Sequence, residues 1–185
     1  MKCGIVTVYN SENCGSFLQA FALSKAIEKT GHEAVFVRQN FSDHSASRKN
    51  YLKLIIKSTL KGRFANAKRL AERRSLFRQA CERLKIVERS EYPHCCILGS
   101  DVIWDFTDPF FKNHRSFFWG TQFKNAKVIS YAPSVGFAKK ENFENSDFVG
   151  EALKKMNSVS VRDNTSKQIL KDYCSKEIQV VCDPT

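Results

Sequence analysis

The chain has 185 residues, 42% of them hydrophobic, with 15 Phe, 7 Cys and a formal net charge of +11. That length and apolar content suit one folded domain with a substantial core and exclude a disordered chain. No apolar run approaches the roughly 18–20 residues of a membrane-spanning helix, and the opening CGIVTVY is too short and too soon interrupted by polar residues for a secretory signal, so the chain reads as cytoplasmic.

Residues 3–9 alternate and carry β-branched side chains, which predicts a first strand. A polar turn from Asn10 to Gly15 precedes a helix over Ser16 to Thr30, where Phe17, Ala20, Phe21, Leu23, Ala26 and Ile27 recur at helical spacing. Gly31 is a natural stop, and Glu33 to Arg38 is the second strand, completing a right-handed parallel β-α-β unit. The stretch 48–89 holds 14 Lys or Arg against three Glu, a surplus equal to the charge of the whole chain. Leu52, Ile55, Ile56 and Leu60, then Leu70, Leu76, Phe77 and Leu84, predict two or three amphipathic helices there, broken near Gly62.

After Pro93 the alternation resumes. Cys95 to Leu98 reads as a strand, Phe106 to Phe123 as an aromatic-rich irregular stretch, and Lys127 to Tyr131 as a strand. Phe148 to Met156 is a helix, Val159 to Val161 a strand, Ser166 to Tyr173 a helix and Ile178 to Cys182 a strand. The expected fold is α/β: a Rossmann-like, doubly wound, mostly parallel sheet in one domain over 1–185, with a basic helical insert at about 48–90.

Four of these strands end in small polar clusters: CCILGSDVIW (95–104), KVISYAPSVG (127–136), SVSVRDNTS (158–166) and QVVCDPT (179–185). Ligands of open α/β sheets sit beyond the carboxyl ends of the strands, so a site assembled from several crossovers is expected. Asn13 and Gly15 precede a helix, whose unpaired N–H groups and positive dipole end suit an anion; equally, Asn13 or Ser11 is a cap and Gly15 a tight turn. Gly99 and Ser100 allow a sharp turn, and Asp101 is placed to take a proton from a hydroxyl or, alternatively, to cap the next turn. Trp104 offers a flat face for a sugar ring, or fills the core. Tyr131, Ser134 and Gly136 form a polar rim where backbone N–H groups could hold an anion. Arg162 emerges from a buried strand, and its planar fork suits a carboxylate or phosphate; the rival account is a salt bridge with Asp163 or Asp183.

Cys3, Cys14, Cys81, Cys95, Cys96, Cys174 and Cys182 show no C-x-x-C pair and no His at ligand spacing, so no metal is expected and the thiols read as reduced and structural. Cys14 differs, because a helix N-terminus can lower a thiol pKa. His94 and His114 flank the GSD segment and either could act as an acid, whereas His32 and His44 read as exposed or loop residues.

The ordered set GSD-x-x-W, SYA-x-S-x-G, S-V-R-D and DPT, after an Asn-x-Gly turn leading into Leu-Gln-Ala, resembles the polysaccharide pyruvyl transferase family. The resemblance runs from Cys3 to Thr185 and is weakest near 41–90. It implies a glycosyltransferase-B-like fold of which this chain is the N-terminal half, with a C-terminal donor-side domain expected and absent from this sequence. It also implies transfer of pyruvyl from phosphoenolpyruvate to a sugar of a cell-surface polysaccharide precursor, with no other cofactor. The family's equivalent of the Asn13–Gly15 turn faces the interdomain cleft, which brings Gln19 to the same cleft. Asp101 and Arg162 are then the expected catalytic residues, and Asn13, Gly15, Gln19, Ser100, Trp104, Tyr131 and Ser134 the substrate-binding ones. The expected partner is a sugar or lipid-linked glycan, with the 48–89 segment either a solvated arm or a peripheral contact to an anionic inner membrane face. Nucleic-acid binding is disfavoured, because no reading motif accompanies the spread charges. A non-catalytic sugar- or anion-binding domain is the other alternative.

Overall fold

The computed structural model describes residues 1–11, 13–39, 41, 56, 64–88, 93–144 and 146–185. In chain order the elements are β1 (Lys2–Val6), α1 (Cys14–Lys29), β2 (Glu33–Val37), α2 (Phe64–Glu82), β3 (Ile86–Val87), β4 (Cys95–Asp101), α3 (Pro109–Asn113), α4 (Arg115–Phe118), β5 (Lys127–Pro133), α5 (Asp147–Lys155), β6 (Val159–Val161), α6 (Asn164–Leu170) and β7 (Ile178–Val180). A short 3-10 turn, Lys140–Asn142, precedes α5. The chain divides into two compact units, Met1–Val37 with Lys85–Thr185, and Arg38–Leu84.

In the first unit, five strands pair in the order β3-β2-β1-β4-β5, every ladder parallel. β6 and β7 pair in parallel with each other, and a bridge from Ile129 to Ser158 sets β6 beside β5. At that seam serine side chains replace part of the backbone ladder. Ser130 Oγ donates to the Ser160 carbonyl at 2.9 Å and accepts the Ser160 N–H at 3.0 Å, while Ser160 Oγ donates to the Ser130 carbonyl at 2.7 Å. Both serines are buried and fully satisfied, as buried polar groups must be. The seven strands thus run β3-β2-β1-β4-β5-β6-β7, the doubly wound order, whose direction reverses between β1 and β4. The α/β expectation is met.

Several boundaries differ from the sequence reading, for local reasons. α1 starts at Cys14 because Asn13 caps it, its Oδ1 accepting the Gly15 N–H at 2.9 Å. β4 and β5 run on to Asp101 and Pro133, held by the pairs Gly99 with Tyr131 and Asp101 with Pro133. This extension puts Gly99 at φ 145°, Asp101 at 128° and Ala132 at 56°, values that L side chains rarely adopt. The 106–123 stretch is not irregular throughout. Asp108 accepts the Phe110 N–H at 2.8 Å and Pro109 occupies the first helical position, which starts α3. Its rings join one aromatic layer: Trp104 stacks on Trp119 at 4.4 Å, Phe106 on Phe143 at 4.8 Å, and Phe111 meets Phe118 edge-on at 5.1 Å. Trp104, Trp119, Phe117, Phe118 and Phe143 are almost fully buried, so these rings remove a large apolar area from water.

α6 is capped by Asp163, whose side chain accepts the Ser166 N–H at 2.7 Å. Burial alone would raise this carboxyl, but bonds from the Ser166 amide and the Ser134 and Ser166 hydroxyls, with Arg162 nearby, hold it below its ordinary value. A depressed carboxyl contributes stability that is complete above the unfolded value of about 3.9 and is lost as pH falls through the lower folded value. Replacing Asp163 by Ala is expected to remove about 1 kcal/mol at pH 7, or roughly 2–4 °C of Tm. Thermal unfolding followed by circular dichroism should show that gap closing as the pH falls below the ordinary carboxylate value and through the lower folded one; a constant gap would deny the carboxylate its role.

The second unit contains α2, on which Leu70 and Phe77 are half-buried while Leu76 is 65% exposed. Lys68, Arg69, Arg73 and Arg78 are exposed, and Lys68 faces Glu72 at 3.9 Å one turn on. The expected break at Gly62 and the stripe of Leu52, Ile55 and Leu60 lie outside the described residues, as does His44. Among the described residues no helix is long and apolar enough to cross a membrane. None of the seven cysteines is in a disulfide, Cys14 is exposed, and burial next to Cys95 and Cys3 pushes the Cys96 thiol up to about 12.

Candidate functional site

The carboxyl edge of the sheet holds a cleft of about 280 Å³ lined by Asn13, Gly15, Ser16, Leu18, Gln19, Asp101, Arg162, Asp183 and Thr185. It takes its walls from the first turns of α1, the end of β4, the residue after β6 and the segment after β7. Those elements meet at the reversal of strand order, where a doubly wound sheet opens its crevice. Five of the expected site residues therefore come together: Asn13, Gly15, Gln19, Asp101 and Arg162.

Each is held differently. Asn13 is the α1 cap, so its side chain is committed to Gly15; the Cys14 and Ser16 amides remain first-turn donors with no intrahelical acceptor. Gln19 is a clamp. Its Nε2 donates to Thr7 Oγ1 at 3.2 Å, the Val8 carbonyl at 3.3 Å and the Ser16 carbonyl at 2.7 Å. Its Oε1 accepts from Ser100 N at 3.1 Å and Ser100 Oγ at 2.6 Å, and Thr7 Oγ1 donates to the Ser100 carbonyl at 2.6 Å. One amide thus ties α1 to the ends of β1 and β4, on either side of the crevice.

Asp101 is half-buried; its Oδ1 accepts the Val102 N–H at 2.8 Å and its carbonyl accepts the Ser134 N–H at 2.9 Å. Its φ of 128° is strain at a cleft, where strained backbone concentrates. Arg162 Nη1 meets Asp183 Oδ2 at 3.3 Å, with side-chain exposures of 32% and 26%. Asp183 Oδ1 accepts both the Thr185 N–H at 3.2 Å and its hydroxyl at 2.9 Å. The DPT segment is therefore a turn locked on one carboxylate oxygen while the other orients the guanidinium. That contact uses one of five donors in the fork, and its partner is Asp183 rather than Asp163.

Four expected site residues lie elsewhere. Ser100 is fully buried and spent on Gln19. Trp104 is also fully buried, its Nε1 donating to the Phe118 carbonyl at 3.1 Å, so it has no open face for a sugar. Tyr131 lines a separate apolar cavity of about 390 Å³ with Met1, Cys3, Leu23, Cys95, Ile97 and Ile129. Ser134 is 4% exposed, and the turn it begins has its amides occupied: Val135 N–H by Ser166 Oγ, Gly136 N–H by Ser134 Oγ, and Phe137 N–H by Asp105 Oδ2. An anion therefore finds no free rim there. His94 stands at the amino end of β4, the edge away from the cleft, and His114 packs edge-on against Phe110.

Sequence reasoning missed Thr7, Ser16, Leu18 and Thr185. Leu18 carried a signal: it falls off the apolar stripe of α1 and is 54% exposed beside polar neighbours. Among the described residues no three His, Cys, Asp or Glu gather as a metal site.

Chemically, the cleft pairs groups suited to an anion, the Arg162 fork and the α1 N-terminus, with the carboxylate of Asp101. No curated protein and no solved structure matches the chain. The family model for polysaccharide pyruvyl transferases does match, over residues 13–185. That span includes every residue that lines the cleft, from the Asn13 cap to the Thr185 turn. The chain belongs to the polysaccharide pyruvyl transferase family.

Proposed function

We propose that the chain transfers the pyruvyl unit of phosphoenolpyruvate to a sugar of a polysaccharide precursor, forming a ketal. In that reaction two sugar oxygens bond to the central carbon of the donor and the carbon–phosphate oxygen bond breaks. One hydroxyl proton ends on the methylene carbon, which becomes methyl; the other leaves with phosphate. Arg162 and the first-turn amides of α1 hold the donor carboxylate and the departing phosphate, where negative charge grows. Asp101 takes the proton from the attacking hydroxyl, and Asp183 keeps the guanidinium in place. A lipid-linked glycan suits the exposed cations of α2, each contributing on the order of 1 kcal/mol at an anionic surface.

The observation that carries this reading is the convergence of Arg162, Asp101 and the α1 N-terminus on one cleft in a chain of this family. Calorimetric titration with phosphoenolpyruvate, against inorganic phosphate and a nucleoside diphosphate, tests it. Selective binding of phosphoenolpyruvate is expected. Preference for the nucleotide would assign the cleft to ordinary glycosyl transfer, and no binding of phosphoenolpyruvate would remove the donor from this cleft.

A further inference from the structure

Phe137 is 90% exposed, yet it sits in a turn held by several hydrogen bonds. Its loop leaves β5, the strand between β4, which ends in Asp101, and β6, which Arg162 follows. The start of that loop is tied to both: Ser134 N–H donates to the Asp101 carbonyl at 2.9 Å, and Arg162 N–H donates to the Pro133 carbonyl at 3.1 Å. Three residues on, the Phe137 N–H donates to Asp105 Oδ2 at 3.2 Å, and Ala138 N–H closes the turn on the Val135 carbonyl at 3.1 Å. Gly136, at φ 63°, has no room for a side chain, since a Cβ there would stand 2.5 Å from Asp105 Oδ2.

Asp105 itself is 4% exposed, and no cation among the described residues pairs with it. Its other oxygen accepts the Thr107 N–H at 2.8 Å and hydroxyl at 2.6 Å. A buried carboxylate without a counter-charge is an expensive fastening. A lone exposed Phe on a loose loop needs no explanation. Here a buried charge and a glycine in the left-handed region fix the ring's backbone at the edge of the sheet that carries the cleft. Loops held on a rigid scaffold are where recognition residues sit.

We infer that Phe137 is a stacking platform for a pyranose ring of the acceptor, receiving the ring's C–H face while Asp101 addresses a hydroxyl. The inference rests on the proposed function only for calling that sugar the acceptor. It moves the aromatic contact from the buried Trp104 to an accessible ring, and it assigns acceptor selectivity to sugars with a continuous apolar face.

Saturation-transfer NMR on the full chain with methyl glycosides of glucose, galactose and mannose is the direct test. The wild type is expected to saturate the C–H protons of one ring face of at least one glycoside. Phe137→Ala should abolish that transfer, Phe137→Trp should restore it, and phosphoenolpyruvate binding should be unchanged in both. Where turnover is measured, Phe137→Ala should raise the acceptor KM by about three- to tenfold with little change in kcat or in the donor KM. Absence of transfer to every glycoside, or transfer unaffected by Phe137→Ala, would overturn the inference while leaving donor binding intact. Glycoside transfer through Phe137 in a chain that does not bind phosphoenolpyruvate would uphold it and sink the pyruvyl-transfer reading instead.

Discussion

Replacing Arg162 with Ala is expected to lower phosphoenolpyruvate turnover by about two to three orders of magnitude, the usual effect of removing one preorganised charge-stabilising donor. Stability should hardly change. The guanidinium makes one contact, at 3.3 Å, and a third of the side chain is exposed, so the pair contributes at most about 1 kcal/mol. Its loss strands nothing, because Asp183 keeps the Thr185 amide and hydroxyl. Arg162→Lys should recover only part of the rate, since an ammonium keeps the charge but loses the fork that grips a carboxylate or phosphate in two places. Steady-state kinetics beside a thermal melt separates these effects. Turnover that survives Arg162→Ala would remove the residue from the chemistry.

Gly99→Ala is the substitution expected to damage the fold most. A Cβ at residue 99 would lie 1.8 Å from the Tyr131 carbonyl oxygen and 2.7 Å from its carbon, both backbone atoms in the facing strand. The φ of 145° is itself hostile to any L side chain. Relief requires β5 to move, which breaks the pairing that carries Asp101 and Pro133. We expect a loss above about 4 kcal/mol, seen as a midpoint at least roughly 10 °C lower or as a chain that no longer folds cooperatively. Gly150→Ala is the control. Its helical site has open space, the nearest atom being 3.8 Å away, so the change should be neutral or slightly stabilising. A Gly99→Ala variant that melts like the wild type would mean that the β4–β5 pairing differs from the one described.

The alternation of strands and helices was legible because β-branched runs and helical stripes are local patterns. Strand ends were harder. Gly99-Ser100-Asp101 reads locally as a turn, and only the facing backbone of β5 carries it onward as strand. The short helices α3 and α4 were hidden in the same way, because aromatic packing stabilises segments that sequence periodicity is too short to reveal.

The site divides along similar lines. Asn13, Asp101 and Arg162 were legible as polar residues at a helix start and strand ends, and Gly15 as the turn glycine before the helix. Neighbouring polar residues were misassigned where direction mattered. Ser100 and Asp101 are adjacent, yet one is fully buried on Gln19 and the other opens to the cleft, as the alternation of a strand requires. Trp104 follows three residues later, and nothing in its spacing tells that Trp119, fifteen residues downstream, will cover its face.

The serine seam between β5 and β6 has a consequence for how this protein tolerates change. In an ordinary parallel ladder the bonds belong to the backbone, so a strand keeps its neighbour through almost any substitution that fits. Here Ser130 and Ser160 add side-chain bonds to the backbone ones from Ser130 to Ser158 and from Asn157 to Val128, and Arg162 follows the strand they help to secure. Two small hydroxyls that do not line the cleft thus help to align the strand that Arg162 follows. Substitution at either position is expected to reach the cleft through that strand, so a library that spares only the cleft residues would still disturb the placement of Arg162.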